Sequence, residues 1–238
     1  MKDPSPSFGI LYVVATPLGN LEDITFRALR ILKEVDYIVA EDTRHSRKLL
    51  THFQISKKLM SFYEHNEDSR MPQIITDLQG GQNIALVSDA GTPSISDPGF
   101  SLVRLARQQD ITVVPVPGPS AIIAALSASG LPTDRFQFIG FLSPKAGKKK
   151  KLLETLKDSQ ETLIFFESPH RLLKTCHLMY QIWGDRMIVM AREMTKKHEE
   201  IMHKPLSQWL DILQKKPPRG EVTLLVAGKE KALINRGF

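Results

Sequence analysis

Cysteine is nearly absent: Cys176 is the only one in 238 residues. An internal disulfide is thereby excluded, and the chain fits a reducing cytosol. Long apolar runs are missing too. No stretch approaches the roughly 18 apolar residues that a membrane helix needs, and the polar start, Met1 to Phe8, has no apolar signal core. A soluble, cytoplasmic protein is expected. The phosphate-binding fingerprints G-x-G-x-x-G and G-x-x-x-x-G-K do not occur, which argues against a standard dinucleotide or triphosphatase site. Metal chemistry is poorly served. His198-Glu199-Glu200-Ile201-Met202-His203 resembles a zincin helix, but Met202 holds the place of the second ligand, so both histidines read as surface residues and no metal is expected. Few aromatics interleave with the lysines, so stacking of single-stranded bases is not signalled there.

What is present is ordinary in amount and unusual in arrangement. Apolar content of 42% and charged content of 24% are globular values, and the length suits one large domain or two modest ones. Lys and Arg number 32 against 26 acidic residues, a formal charge of +6 that favours a polyanionic partner.

Short apolar runs alternate with helical spacing. Ile10 to Ala15, Tyr37 to Ala40, Ile84 to Val87 and Thr112 to Pro115 read as strands, and Met60-Ser61-Phe62-Tyr63 leads into Glu64-His65-Asn66-Glu67. Between them, apolar residues from Ile24 to Val35 fall at helical spacing with Asp23 as a candidate cap. Further helices run to about Phe53, near Met71 to Leu78, and from Asp97-Pro98 onward. This alternation implies a mostly parallel sheet. The dense Pro115-Val116-Pro117-Gly118-Pro119-Ser120 marks a hinge, dividing the chain into α/β domains over 1–116 and 117–238. In the second half, Phe136 to Gly140, Thr162 to Phe166, Met187 to Ala191 and Val222 to Ala227 read as strands. A helix is expected at Ala121 to Leu126 and another near Leu206 to Gln214, and the sheet is expected to be mixed.

Three strand ends in the first half carry loops suited to chemistry: Thr16 to Asn20, Glu41 to His45, and Ser88 to Gly99. Neighbouring parallel strands put their carboxyl ends on one edge, where ligands bind. The last loop, with its small residues and exposed amides, reads either as a turn or as the wall of a binding site. Glu41-Asp42-Thr43-Arg44-His45 reads either as a helix cap, by Asp42 or Thr43, with a solvated face, or as a carboxylate and a guanidinium converging on a polar ligand. Glu64-His65-Asn66-Glu67 reads first as a polar loop. Ser168-Pro169 starts a helix, which sets His170 and Arg171 in its first turn. A cation there opposes the helix dipole, and an anionic ligand would supply the reason. Lys145 and Lys148 to Lys151, with Lys196-Lys197 and Lys215-Lys216, read as solvated charge or as a track for a phosphate backbone.

Taken together, Val14-Ala15-Thr16-Pro17-Leu18-Gly19-Asn20-Leu21, Ala40-Glu41-Asp42-Thr43-Arg44, the loop from Ser88 to Gly99, Pro115 to Ser120 and Phe166-Glu167-Ser168-Pro169-His170-Arg171 form an ordered set. The chain, from about Leu11 to Gly228, resembles the tetrapyrrole-methylase-like (class III) S-adenosylmethionine methyltransferases, and within them the branch that acts on ribosomal RNA. The resemblance implies two α/β domains with the donor, S-adenosyl-L-methionine, in the cleft between them, and a homodimer. It implies 2'-O-ribose methylation of a cytidine in the decoding region of 16S rRNA, with 16S rRNA or the 30S subunit as partner. Carried over by position, Leu18, Asp89, Thr92, Ser120, Ala121, Phe166, Glu167 and Val222 would hold the donor. The chemistry needs a base, for which Glu41, Asp42, His65, Glu167 and His170 are candidates, with Arg44, Arg171, Arg192, Lys148 and Lys149 on the RNA. Where many tetrapyrrole enzymes have Gly-Pro-Gly-Asp, this chain has Pro17-Leu18-Gly19-Asn20, which suits the RNA branch. Longer members continue past the last strand, whereas this chain stops at Phe238. A small-molecule or protein methylase on the same scaffold and a catalytically silent RNA-binding factor are the alternatives.

Overall fold

The computed structural model describes residues 8–216 and 218–229. The chain divides after Ser120 into two compact units. The first contains β1 (Ile10–Val14), α1 (Phe26–Glu34), β2 (Tyr37–Ala40), α2 (Thr43–His52), β3 (Lys58–Ser61), α3 (Glu67–Gln79), β4 (Ile84–Val87), α4 (Phe100–Gln108) and β5 (Thr112–Val116). Its strands pair in the order β3-β2-β4-β1-β5, all parallel. The pleat sorts the side chains. Tyr37, Val39, Ile84 and Leu86 enter one core with residues of α3 and α4, while Ile38, Ala40, Ala85 and Val87 enter the other with α1 and α2. Covered on both faces, β2 and β4 can be apolar at every position, as parallel strands usually are. Neighbours β1 and β4 send the chain to opposite faces, so a topological switch point lies at their carboxyl ends.

Two helix starts differ from the sequence reading. Asp23 ends a 3₁₀ turn, Leu21–Asp23, and α1 is capped by Thr25, whose hydroxyl accepts from the Ala28 amide at 3.1 Å. The helix expected at Asp97-Pro98 starts at Phe100 after Gly99, whose φ of 119° is costly for any other residue. The Gly99 amide donates to Glu67 Oε1 at 3.0 Å, so a side chain from the neighbouring helix does the capping. Strand β3, which pairs with β2 and ends at Ser61, was not anticipated.

The second unit contains α5 (Ala121–Ala128), β6 (Phe136–Phe141), α6 (Ala146–Thr155), β7 (Thr162–Glu167), α7 (Pro169–Trp183), β8 (Met187–Arg192), β9 (Glu200–Pro205), α8 (Leu206–Lys215) and β10 (Val222–Val226). Its sheet, β6-β7-β10-β8-β9, is mixed: β6 and β7 are parallel, and the other pairs are antiparallel. Residues of α6, α7 and α8, including Trp183 and Trp209, pack on one face, and α5 covers the other. The edge strand β9 was not anticipated. It takes in Met202 and His203 and leaves His203 exposed, so the zincin-like run is no helix. Among the described residues no group of side chains could hold a metal ion, and no helix is long and apolar enough to cross a membrane.

Thr25→Ala should lower stability by about 1 kcal/mol through loss of the cap. Asp23→Ala should carry no such cost, since Asp23 Oδ2 is buried without a partner among the described residues. Urea unfolding of the two variants checks both.

Candidate functional site

At the switch point the loops after β1 and β4 are locked to each other. The Thr16 amide donates to the Gly91 carbonyl at 2.8 Å, and the Gly91 amide returns a bond to the Thr16 carbonyl at 2.9 Å. The buried Thr16 hydroxyl donates to Ser88 O at 3.1 Å. Gly91 has φ 76°, and a Cβ there would stand 3.3 Å from Leu18 Cδ2. The Thr92 hydroxyl reaches Pro119 O at 3.3 Å, which brings the segment before Ser120 to the same edge. Farther along, Ser94 and Ser96 take left-handed φ values of 72° and 66°, a conformation uncommon for non-glycine residues. Ser94 Oγ is buried with no partner among the described residues.

Three carboxylates crowd this edge. Asp89 Oδ1 accepts from the Asp42 amide at 3.1 Å, and the Asp89 amide points to Glu41 Oε2 at 3.5 Å. Burial, then the Asp89 charge, pushes the Glu41 carboxyl above the usual range. Asp97 is pushed to about 6, first by burial, then by Glu41, with Asp89 adding and the Ser88 hydroxyl opposing. Sequence reasoning did not single out Asp97. Its signal is a charged residue in the stretch Gly91 to Gly99, otherwise of Gly, Ser, Thr, Pro and Ile, and the Asp-Pro pair reads more readily as a helix start.

Asp42 behaves differently from its neighbour. It caps α2, accepting from the Arg44 amide at 2.8 Å, and grips the Arg44 guanidinium at 3.1 and 2.8 Å. These bonds hold its carboxyl well below the usual range, so Asp42 makes a weak base. Arg44 lies in the open beside it, its side chain 88% exposed. His65 is exposed in the turn after β3, edge-on to Tyr63.

In the second unit, β7 ends in a buried Glu167. Its Oε1 accepts from the Ser168 amide and from Arg171, both at 2.8 Å, and its Oε2 accepts from the Thr175 hydroxyl at 2.7 Å. The cation in the first turn of α7 therefore has an internal partner, a carboxylate of this chain. Glu167, expected among the bases, is sealed in by these bonds and cannot meet a substrate proton. Lys149, expected on the RNA, is a further correction. It faces inward from α6, buried, and donates to the Thr175 hydroxyl at 2.9 Å. Lys148 is exposed, as is His170. Burial, then the Glu167 charge, raises the Cys176 thiol to about 12. Phe166 is half-buried and packs edge-on against Phe138 and tilted against Phe141. Val222 lies in the core, and Ala121 opens α5. Arg192 is taken up by Glu200 at 3.1 Å and by Arg219 O at 3.2 Å.

Residues 10–209 match the family model described as tetrapyrrole (corrin/porphyrin) methylases. The ribosomal RNA small subunit methyltransferase I of Halalkalibacterium halodurans is 50% identical over 92% of this chain and 76% of its own length. The proteins of that name from Pseudomonas aeruginosa and Thermotoga maritima are 52% and 47% identical, each over 93% of this chain and over 80% and 100% of their own. Among solved structures, uroporphyrin-III-C-methyltransferase from Thermus thermophilus superposes with a TM-score of 0.64 at 19% identity, covering 92% of this chain and 94% of that one. Diphthine synthase gives 0.68 at 15% identity, covering 92% and 90%. At such identities the likeness is one of fold.

Because Asp97 binds its proton more tightly when folded, stability declines as pH rises from its ordinary value, near 4, through about 6. Asp97→Asn should therefore raise the melting temperature at pH 7.5, by roughly 3 °C for each kcal/mol relieved, and leave it unchanged at pH 4. Thermal melts at the two pH values test this.

Proposed function

We propose that this chain, which belongs to the tetrapyrrole (corrin/porphyrin) methylase family, uses S-adenosyl-L-methionine to methylate the ribose 2'-oxygen of a cytidine in the decoding region of 16S rRNA. The observation that carries this reading is identity near 50%, over more than 90% of this chain, with proteins named ribosomal RNA small subunit methyltransferase I. The excess of positive charge agrees with a polyanionic substrate in the cytoplasmic 30S particle.

The residues of the first unit fit the donor's chemistry. Crowded negative charge at Glu41, Asp89 and Asp97 would be relieved by a cationic sulfonium. Gly91, lacking a Cβ beside Leu18, leaves its backbone open to close approach. Leu18, Asp89, Thr92 and Ser120 would hold the donor in this unit. When bound, the donor supplies a methyl group activated by positive sulfur.

A ribose hydroxyl is a poor nucleophile until its proton is drawn off. Glu41 and Asp97 are suited to drawing it off, because burial has brought their proton affinity toward neutrality, where an acceptor is both ionised and basic. Arg44 and Lys148 stand exposed for phosphate contacts. A homodimer belongs to the same reading. Phe26, 94% exposed, and Phe100, 64% exposed, open α1 and α4 and present apolar surface that a second copy would cover.

Tritium transfer from labelled donor to 30S subunits lacking the modification tests the activity, with bare 16S rRNA and small tetrapyrroles as parallel substrates. Label is expected on a cytidine ribose, at a rate that climbs with pH and levels off above about 6 as Asp97 ionises. Glu41→Gln or Asp97→Asn should lower kcat by about 100-fold or more, with donor affinity followed separately by calorimetry. Donor binding without transfer to either RNA substrate would sink the reading. For the dimer, Phe26→Asp with Phe100→Asp should shift a sedimenting dimer to monomer.

A further inference from the structure

The start of α7 carries more positive charge than its surroundings cancel. Arg171, at 2.8 Å, and Lys149, at 3.8 Å, both address the single carboxylate of Glu167. One positive charge is left over, and exposure says where it resides. The Glu167 side chain is 0% exposed and that of Lys149 is 9%, whereas that of Arg171 is 32% exposed.

The two carboxylate oxygens divide the roles. Oε2 faces inward and accepts from Thr175, whose hydroxyl in turn accepts from Lys149 Nζ. A hydroxyl has one proton to give, so the ammonium on one side and the carboxylate on the other fix its direction. Oε1 faces the helix start, where it binds the Ser168 amide and Arg171. With an apolar residue at 149, Glu167 and Arg171 would form a closed, neutral pair. Burying a lysine for stability alone is a poor exchange, since apolar packing generally serves as well as a buried ion pair or better. What the ammonium does instead is neutralise Glu167 from behind. Arg171 thus keeps an uncancelled charge beside the exposed His170; among the described residues its buried Nε has no partner and its Nη1 meets Leu142 O at 3.4 Å.

We infer that Lys149 and Thr175 are positioning residues, which hold Glu167 so that Arg171 presents a free positive charge to an oxyanion. That oxyanion is a phosphodiester of the RNA or the carboxylate of the donor. The inference rests on the methyltransferase reading above and goes beyond it by assigning a role to a buried pair.

Lys149→Met keeps volume while removing the charge. For an RNA phosphate, the variant should raise KM for 30S subunits about tenfold, the worth of one charge-assisted contact, with the donor Kd fixed and the loss falling on KM rather than kcat. For the donor carboxylate, the same factor should appear in the donor Kd, with the KM for RNA fixed. Arg171→Ala should match the loss. The double variant should be no worse than Arg171→Ala alone, a coupling that a merely structural lysine would not produce. Thr175→Val, which removes only the bridging hydroxyl, should repeat the pattern at smaller size and carries the test should Lys149→Met fail to fold. Unmoved KM and Kd in folded variants, or additive losses in the double, overturn the inference. Wild-type protein that binds donor but methylates no RNA sinks the functional reading, and this inference with it. Wild-type transfer with indifferent Lys149 and Thr175 variants sinks the inference alone.

Discussion

A parallel sheet covered on both faces delivers every strand end to one edge, and the backbone arriving there must find partners outside the ladder. In the first unit the reciprocal pair between Thr16 and Gly91 meets that demand at the switch point. Because that pair ties two neighbouring loops, Leu18, Asp89 and Thr92 are set by one backbone arrangement. The price is concentrated negative charge: Asp89 lies close enough to raise the proton affinity of Glu41, and Glu41 and Asp89 together raise that of Asp97. Negative charge thus gathers at the switch-point edge of the first unit.

The second unit solves the converse problem. Its sheet ends in a buried carboxylate, and α6 and α7 bring two cations to it. The interior partner is committed and the outer one remains available. Opposite electrostatic characters therefore arise from the same local device, a strand end meeting a helix start, with the outcome decided by which side chains are burdened with desolvation.

Most of the fold was legible because the periodicity was strong. The runs at Tyr37 to Ala40 and Ile84 to Val87 could be little else than buried strands. Edge strand β9 escaped notice because Glu200, His203 and Lys204 interrupt its apolar positions and only one side of it is paired. Two helix starts were misplaced for a common reason. Asp23 and Asp97 are good capping residues by type, but a 3₁₀ turn and a left-handed glycine displaced the helices beyond them. In the site, strand-end loops were readable as a group, while the state of each side chain was not. A lysine in a run of four gives no sign that one member turns inward, since the helical phase relative to the sheet decides it. Nor does sequence reveal that Asp42 is strongly acidic while Glu41, one residue earlier, is the reverse.

The solitary thiol has a practical corollary. Cys176 is wholly enclosed and keeps its proton far above neutral pH, so alkylating reagents, peroxide and maleimide dyes have no thiolate to attack. A cysteine introduced at a surface position would be the sole reactive thiol, which allows a spectroscopic label to be placed on either unit without first stripping the native chain of its own.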